Sequence, residues 1–237
     1  MEINVKFAGI PLALVLKHTE YLPDFDPFLT DEKPLTTARI DKDELEFMLK
    51  TYPEKPSAPY LEYTELCRRT SDALLPFDRA VYHGLSFYWQ NRAWLITAPS
   101  GTGKTTHYLQ WKRQFKDELT IMNGDKPIIS LENEKIIVNP SPWHGKEGMH
   151  RSTTAELAGI VLLTQSDSNT MRQLSKREAA APLYAQVLYS AQNPGQVADA
   201  CKIVSAMIES VPVWLLSNRG DAESAALCRE TLKGAIR

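Results

Sequence analysis

Cysteine is scarce in this chain of 237 residues: Cys67, Cys201 and Cys228 are an odd number, and no C-x-x-C pair occurs. That excludes a disulfide framework and the usual zinc spacings, and it predicts reduced thiols in a cytoplasmic protein. No run of about 18 apolar residues is present, so no membrane span is expected. The opening stretch MEINVKFAGIPLALVL carries Glu2 and Lys6 and lacks the basic start and small-residue cleavage site of a signal peptide. An excess of one charge is missing too. Lys and Arg total 27 against 29 Asp and Glu, a formal net charge of −2, which speaks against nucleic acid and anionic membrane as partners.

What is present is concentrated in residues 95–108, LITAPSGTGKTTHY. An apolar run (Trp94, Leu95, Ile96) enters a turn of Ser100, Gly101, Thr102 and Gly103, and Lys104, Thr105 and Thr106 open a stretch of helical composition. This is the layout of a phosphate-binding loop, Ser100 to Thr106. Its glycines let successive N–H groups point inward, and the helix that follows adds its positive end. ATP with Mg²⁺ is the expected ligand: Lys104 would reach the β- and γ-phosphates, and the Thr105 hydroxyl would hold the metal. Ala98 stands where the pattern G-x-x-x-x-G-K-[ST] has its first glycine. A chance glycine-bearing turn between strand and helix is the alternative reading.

The rest of the chain reads as strands alternating with helices, an α/β protein whose central sheet is flanked by helices. INVKFAGIPLALVL predicts one or two strands and KDELEFMLKTY a short amphipathic helix. The proline-rich stretch Tyr52 to Pro59 predicts a linker, dividing a β-rich N-terminal extension (1–59) from a nucleotide-binding domain (60–237). PYLEYTEL, AVYHGLSFYWQ, RAWLITA and ELTIMNGD predict strands, with HYLQWKRQF as the helix after the loop. KPIISLENEKIIVNPSPW predicts a hairpin turning at Glu132-Asn133-Glu134. AELAGIVLLTQ and VPVWLLS follow as strands, and SKREAAAPLYAQVLY, NPGQVADACKIVSAMIES and DAESAALCRETLKGAI as helices.

His83-Gly84, the loop SGTGKTT and a strand ending in Asn123-Gly124-Asp125 arrive in an order that resembles the HPr kinase/phosphorylase and phosphoenolpyruvate carboxykinase superfamily. SPWHGKEG and RQLSKREA look like the smaller HPr-kinase-like proteins. The likeness spans residues 75–233. It implies a phosphate-loop core with Asp125 as acid/base beside the metal and as a metal ligand, and with His83 orienting that carboxylate or sharing its proton. A turn aspartate is the alternative reading of Asp125, since Asn-Gly-Asp is a common turn sequence, and a histidine beside glycine is commonly structural. The superfamily has two consecutive acids at this strand end, and here the second position is Lys126. The carboxykinase reaction needs the missing acid, whereas a kinase needs one Mg²⁺, one base and a few cations.

The segment SPWHGKEGMHR is the expected acceptor side, with Lys146, Glu147 and Arg151 as substrate-facing residues and Trp143 as a rigid wall. A solvated loop of mutually paired charges is the other reading. Two classes of function stay open. One is an ATP- and Mg²⁺-dependent kinase that transfers the γ-phosphoryl group to a hydroxyl of a protein, peptide or small molecule. The other is a nucleotide-binding regulator or hydrolytic switch, against which stands the lack of an N-K-x-D guanine motif. The resemblance also raises homo-oligomerisation, since the full kinase/phosphorylases assemble as hexamers.

Overall fold

Glu2–Phe7 (β1) turns Val5 and Phe7 inward, Ile10–Val15 (β2) is buried from Pro11 to Leu14, and the two strands join through Ala8 and Gly9, both at positive φ, as a tight hairpin requires. The computed structural model describes residues 1–145, 148 and 150–235; Lys146 and Glu147 lie outside the described residues. β2 pairs in parallel with Thr36–Arg39 (β3), and the helix Lys42–Thr51 (α1) follows. A 3₁₀ segment, Leu22–Phe28, buries Phe25 beneath this small sheet.

The strand expected at PYLEYTEL is instead the start of a 17-residue helix, Ala58–Leu74 (α2). Ser57 caps it by accepting from the Tyr60 N–H, Pro59 lies in its first turn, and the buried positions Leu61, Glu65, Leu66 and Leu74 recur with helical spacing. Tyr60 and Tyr63 suggest a strand because aromatic residues favour one locally. Tertiary packing decides otherwise, because α2 shares a core with Val5, Phe7, Leu12, Leu14 and Trp143. Residues before and after the expected linker therefore bury one another. The carboxylate of Glu62 ties them further, accepting from the N–H groups of Lys17 and His18 at 2.8 and 2.9 Å.

The larger sheet is built from Arg79–Val81 (β4), Leu85–Trp89 (β5), Arg92–Thr97 (β6), Leu119–Asn123 (β7), Ile128–Glu132 (β8), Lys135–Asn139 (β9), Ala155–Gln165 (β10), Thr170–Gln173 (β11) and Val213–Asn218 (β12). Its path runs β4-β8-β9-β10-β6-β5-β7, with β12 also on β10 and β11 on β12. Strand β10 is long enough to serve three partners in turn. Ala155 and Glu156 pair with β9, Leu157–Leu162 with β6 and Ile160–Gln165 with β12, and a bulge between Leu157 and Gly159 curls the sheet there. The β8–β9 hairpin turns at Asn133 and Glu134, both at positive φ.

Parallel strands β6, β10 and β12 are buried on both faces, as their near-continuous apolar runs require. Trp94, Ile96, Val161 and Leu216 face Lys104–Phe115 (α3) and Ala222–Ala235 (α6). Ala93, Leu95, Ile160 and Leu162 face Lys176–Tyr184 (α4) and Pro194–Ser210 (α5). The helix expected through Tyr189 stops at Tyr184, and Gln186 to Leu188 run beside β4. Among the described residues no helix is long and apolar enough to cross a membrane.

One core contact has a pH signature. His107 on α3 is fully buried and accepts from the Trp111 indole N–H at 3.1 Å, and burial pushes its pKa down to about 4. An unfolded histidine titrates near 6.5, so the stability that depends on this neutral ring is complete above that pH. It is lost as the pH falls toward 4, because only the unfolded chain gains the proton, a loss on the order of 3 kcal/mol. Urea unfolding across this window should show that slope. His107→Gln, which keeps an acceptor for Trp111, should flatten it; an unchanged slope would assign the acid sensitivity elsewhere.

Candidate active site

Strand β5 runs antiparallel to both neighbours, so its start lies beside the ends of β6 and β7. His83 precedes β5, the glycine turn leaves β6, and Asp125 follows β7. Topology alone therefore brings these three segments together. Gly84 permits the close approach: a Cβ there would meet the Ile96 carbonyl oxygen at 3.1 Å and Leu95 Cδ1 at 3.0 Å. The Gly84 N–H donates to the Asp125 carbonyl at 2.8 Å, and the Thr97 hydroxyl to the His83 carbonyl at 2.7 Å.

The turn itself is a left-handed curl. Gly101 and Gly103 have φ of 78° and 103°, which side-chain-bearing residues rarely adopt, and Gly103 caps α3. The first N–H groups of α3 have no partner within the helix and point with its positive end into the space before the turn. Ala98, in the place of the usual first glycine, is buried within the core behind the turn.

Lys104 is 8% exposed and folds back into the curl. Its ammonium donates to the Ala98 carbonyl at 2.9 Å, to the Pro99 carbonyl at 3.4 Å and to His83 Nε2 at 3.1 Å. Burial lowers its pKa, opposed by the nearby Asp125. On the other side of the ring, His83 Nδ1 meets the Gln186 side-chain oxygen at 3.0 Å. That oxygen can only accept, so the proton is on Nδ1 and Nε2 is the lone pair that Lys104 uses. Burial first, and Lys104 second, depress the His83 pKa, so the ring is neutral near pH 7. His83 Nε2 also lies 3.6 Å from Asp125 Oδ1.

Asp125 is fixed from its backbone. The Asn123 side-chain oxygen accepts from the N–H groups of Asp125 at 2.9 Å and Lys126 at 2.8 Å, and Asn123 Nδ2 donates to Ser141 Oγ at 3.1 Å. Asn-Gly-Asp thus forms a side-chain-braced turn, as the turn reading of Asp125 expects. The Lys126 ammonium pairs directly with Asp125 Oδ2. Although burial alone would lower its pKa, that pairing raises it.

Lys104, Asp125 and Lys126 line a cavity of about 870 Å³. Ser100, Gly101 and Gly103 to Thr106 form one side, Gly124 to Lys126 the floor, and Tyr21, Asp24, Tyr60, Tyr63 and Trp143 the facing wall. Thr102 turns away, its hydroxyl donating to the Pro99 carbonyl at 2.9 Å, and lines a smaller crevice. Trp143 is 3% exposed and packs on Phe7, Phe25 and Tyr63, so it backs the wall from within the core. Arg151 does not line this cavity: it is exposed, and its N–H donates to the Met122 carbonyl along the outer edge of β7. His144 and His150 stack at 4.1 Å, and burial lowers the His144 pKa. Among the described residues no group of three His, Cys, Asp or Glu could hold a metal.

Sequence reasoning missed Gln186 and the wall residues other than Trp143. No local pattern marks Gln186, which reaches His83 only because the chain after α4 returns along β4. The wall was legible in principle, since Tyr60 and Tyr63 are three apart and would share a helix face once α2 is read as a helix. Gln186→Glu should place a carboxylate on His83 Nδ1 and raise the His83 pKa from its depressed position. NMR titration of the His83 ring checks this, and an unmoved midpoint would mean that Gln186 does not set the ring's charge.

No protein-family model and no curated protein matches the chain. Among solved structures it is similar to the Hpr(Ser) kinase/phosphatase from Coxiella burnetii, at 13% identity and a TM-score of 0.38, over 65% of this chain and 97% of that one.

Proposed function

We propose that this protein is a phosphotransferase that uses ATP and Mg²⁺ to phosphorylate a hydroxyl. The observation that carries the reading is that Lys104 and Asp125 line one cavity at a glycine turn that opens a helix, with His83 Nε2 within 3.1 Å of the first and 3.6 Å of the second. A ligand with a chain of phosphates suits that arrangement: the N–H groups of a helix's first turn, the helix's positive end and a buried ammonium all favour negative charge. Lys104 would exchange the carbonyls and His83 for β- and γ-phosphate oxygens, leaving the His83 Nε2 lone pair free to accept from the Asp125 carboxyl once that group has taken up a proton. Asp125 would take the proton of the attacking hydroxyl, and Lys126 would hold the carboxylate in place.

Thr105 and Asp125 offer hard oxygen donors, which suits Mg²⁺, an ion that keeps several waters and relies on one or two protein ligands plus phosphates. When bound, it would neutralise charge on the transferring group. Lys126 already balances Asp125, so a second metal is not needed there. Calorimetry with ATP and Mg²⁺, followed by radiolabel transfer in the presence of candidate acceptors, tests the proposal. Micromolar to millimolar affinity and transfer to a hydroxyl are expected. Absence of nucleotide affinity would overturn the reading, and hydrolysis that no acceptor or cell extract accelerates would favour a hydrolytic switch.

A further inference from the structure

Two spaces flank the glycine turn, and they differ in chemistry. The smaller, about 250 Å³, lies outside the carboxyl ends of β10 and β12 among Thr102, Thr106, Ser166, Asn218 and Arg219. Arg219 there is paired with Asp221 and Glu223. Lys104 and Asp125 line only the larger one. Phosphoryl transfer places the attacking oxygen and the leaving oxygen roughly in line on opposite sides of phosphorus, and the base must reach the attacking hydroxyl. The acceptor therefore shares the space of Asp125, and what recognises it is the wall facing the turn.

That wall comes from the N-terminal segment and α2. Tyr21 stacks on Tyr63 with centroids 4.4 Å apart and planes 17° from parallel, and Tyr60 lies 6.4 Å from Tyr21 at 55°. The assembly is anchored to the catalytic floor. The Tyr63 hydroxyl donates to the Pro142 carbonyl at 2.7 Å, the Trp143 indole N–H to the Tyr63 carbonyl at 3.0 Å, and the Lys126 N–H to the Trp143 carbonyl at 3.1 Å. Asp24 lies beside it and, after burial, is the main influence that raises the Tyr63 pKa. Among the described residues the cavity is lined here by the Asp24 carboxylate, the tyrosine and Trp143 rings, and Thr64, Cys67 and His144, and Lys126 on the floor is tied to Asp125.

We propose that this wall is the acceptor site and that the acceptor is a small hydroxylated amine, an amino alcohol or amino sugar. Its ammonium lies against Tyr21, Tyr60 and Asp24, and its hydroxyl is directed at Asp125. Ring faces and a carboxylate attract a cation and repel an anionic acceptor, and the cavity is of small-molecule size. Oxygen of the acceptor bonds to the γ-phosphorus as the bond to the β-γ bridging oxygen breaks, ADP leaves, and the hydroxyl proton passes to Asp125. The inference rests on the phosphotransfer reading.

The test uses the full chain with labelled ATP, Mg²⁺ and matched acceptors: glucosamine against glucose, ethanolamine against ethylene glycol, glycerate as an anion and a serine peptide. At least about tenfold higher kcat/KM for the amine of each pair is expected. Asp24→Asn and Tyr21→Leu should erase that ratio while ATP affinity by calorimetry and the melting temperature hold. Equal use of neutral or anionic compounds, transfer confined to the peptide or to none of the panel, or a ratio indifferent to Asp24→Asn would overturn the assignment. Loss of ATP binding in the unmodified protein would instead bring down the phosphotransfer reading itself.

Discussion

Lys104→Met should lower phosphoryl transfer on the order of 10²-fold or more while leaving the fold as stable as before or slightly more so. The two effects have one cause. The ammonium is held nearly out of solvent by two carbonyls and a neutral imidazole, and burial lowers its pKa by more than the nearby Asp125 raises it. Folding thus disfavours its charged form, and an apolar stem of similar length removes that cost. During transfer the same ammonium would act on the β- and γ-oxygens as negative charge shifts toward the leaving group, where a preorganised cation counts most. Initial rates at saturating ATP, alongside thermal melting, check both halves. Transfer within tenfold of the unmodified protein would place the phosphates elsewhere. A large fall in melting temperature with the rate loss would mean that Lys104 is chiefly structural.

The parts of this architecture that are legible in the sequence are those where local pattern and tertiary demand agree. The apolar runs of β6, β10 and β12 fix strands that must be buried on both faces, and the order of strand, glycine turn and Lys-Thr-Thr fixes the turn and the start of α3. Pattern and packing part company at Pro59 to Leu66, where tyrosines favour a strand locally but Ser57, Pro59 and the spacing of Leu61 and Leu66 make a helix. The site divides in the same way. Lys104 and Thr105 follow from a contiguous motif, and Asp125 and His83 from an order of segments. Gln186, Tyr21 and Asp24 depend on contacts between residues far apart in the chain, which no periodicity encodes. Arg151 shows the converse. Its charge and its place after two glycines suggest a substrate-facing residue, but the bridge between Asn123 and His150 sets its backbone along the edge of β7, where it is exposed and does not line the cavity.

Asp125→Asn should depress turnover by about 10² to 10⁴-fold and keep ATP binding, a separation that a structural aspartate would not produce. The amide retains the shape of the side chain, and the Asn123 oxygen still braces the backbone, so the turn survives. What changes is charge. Lys126 and Lys104 lose the carboxylate between them, leaving two cations facing the space where phosphates would lie. ATP without metal should therefore bind as tightly as before or more tightly, because one negative charge no longer opposes the nucleotide. With Mg²⁺ the gain should shrink, since an amide oxygen is a poorer ligand for a hard cation than a carboxylate. Turnover falls in either case, for an amide cannot accept the hydroxyl proton. Calorimetry with and without Mg²⁺ measures the first effect and single-turnover transfer the second. Near-normal transfer in this variant would mean that the base is not Asp125, and equal weakening of ATP binding in both conditions would mean that the carboxylate holds the turn rather than the chemistry.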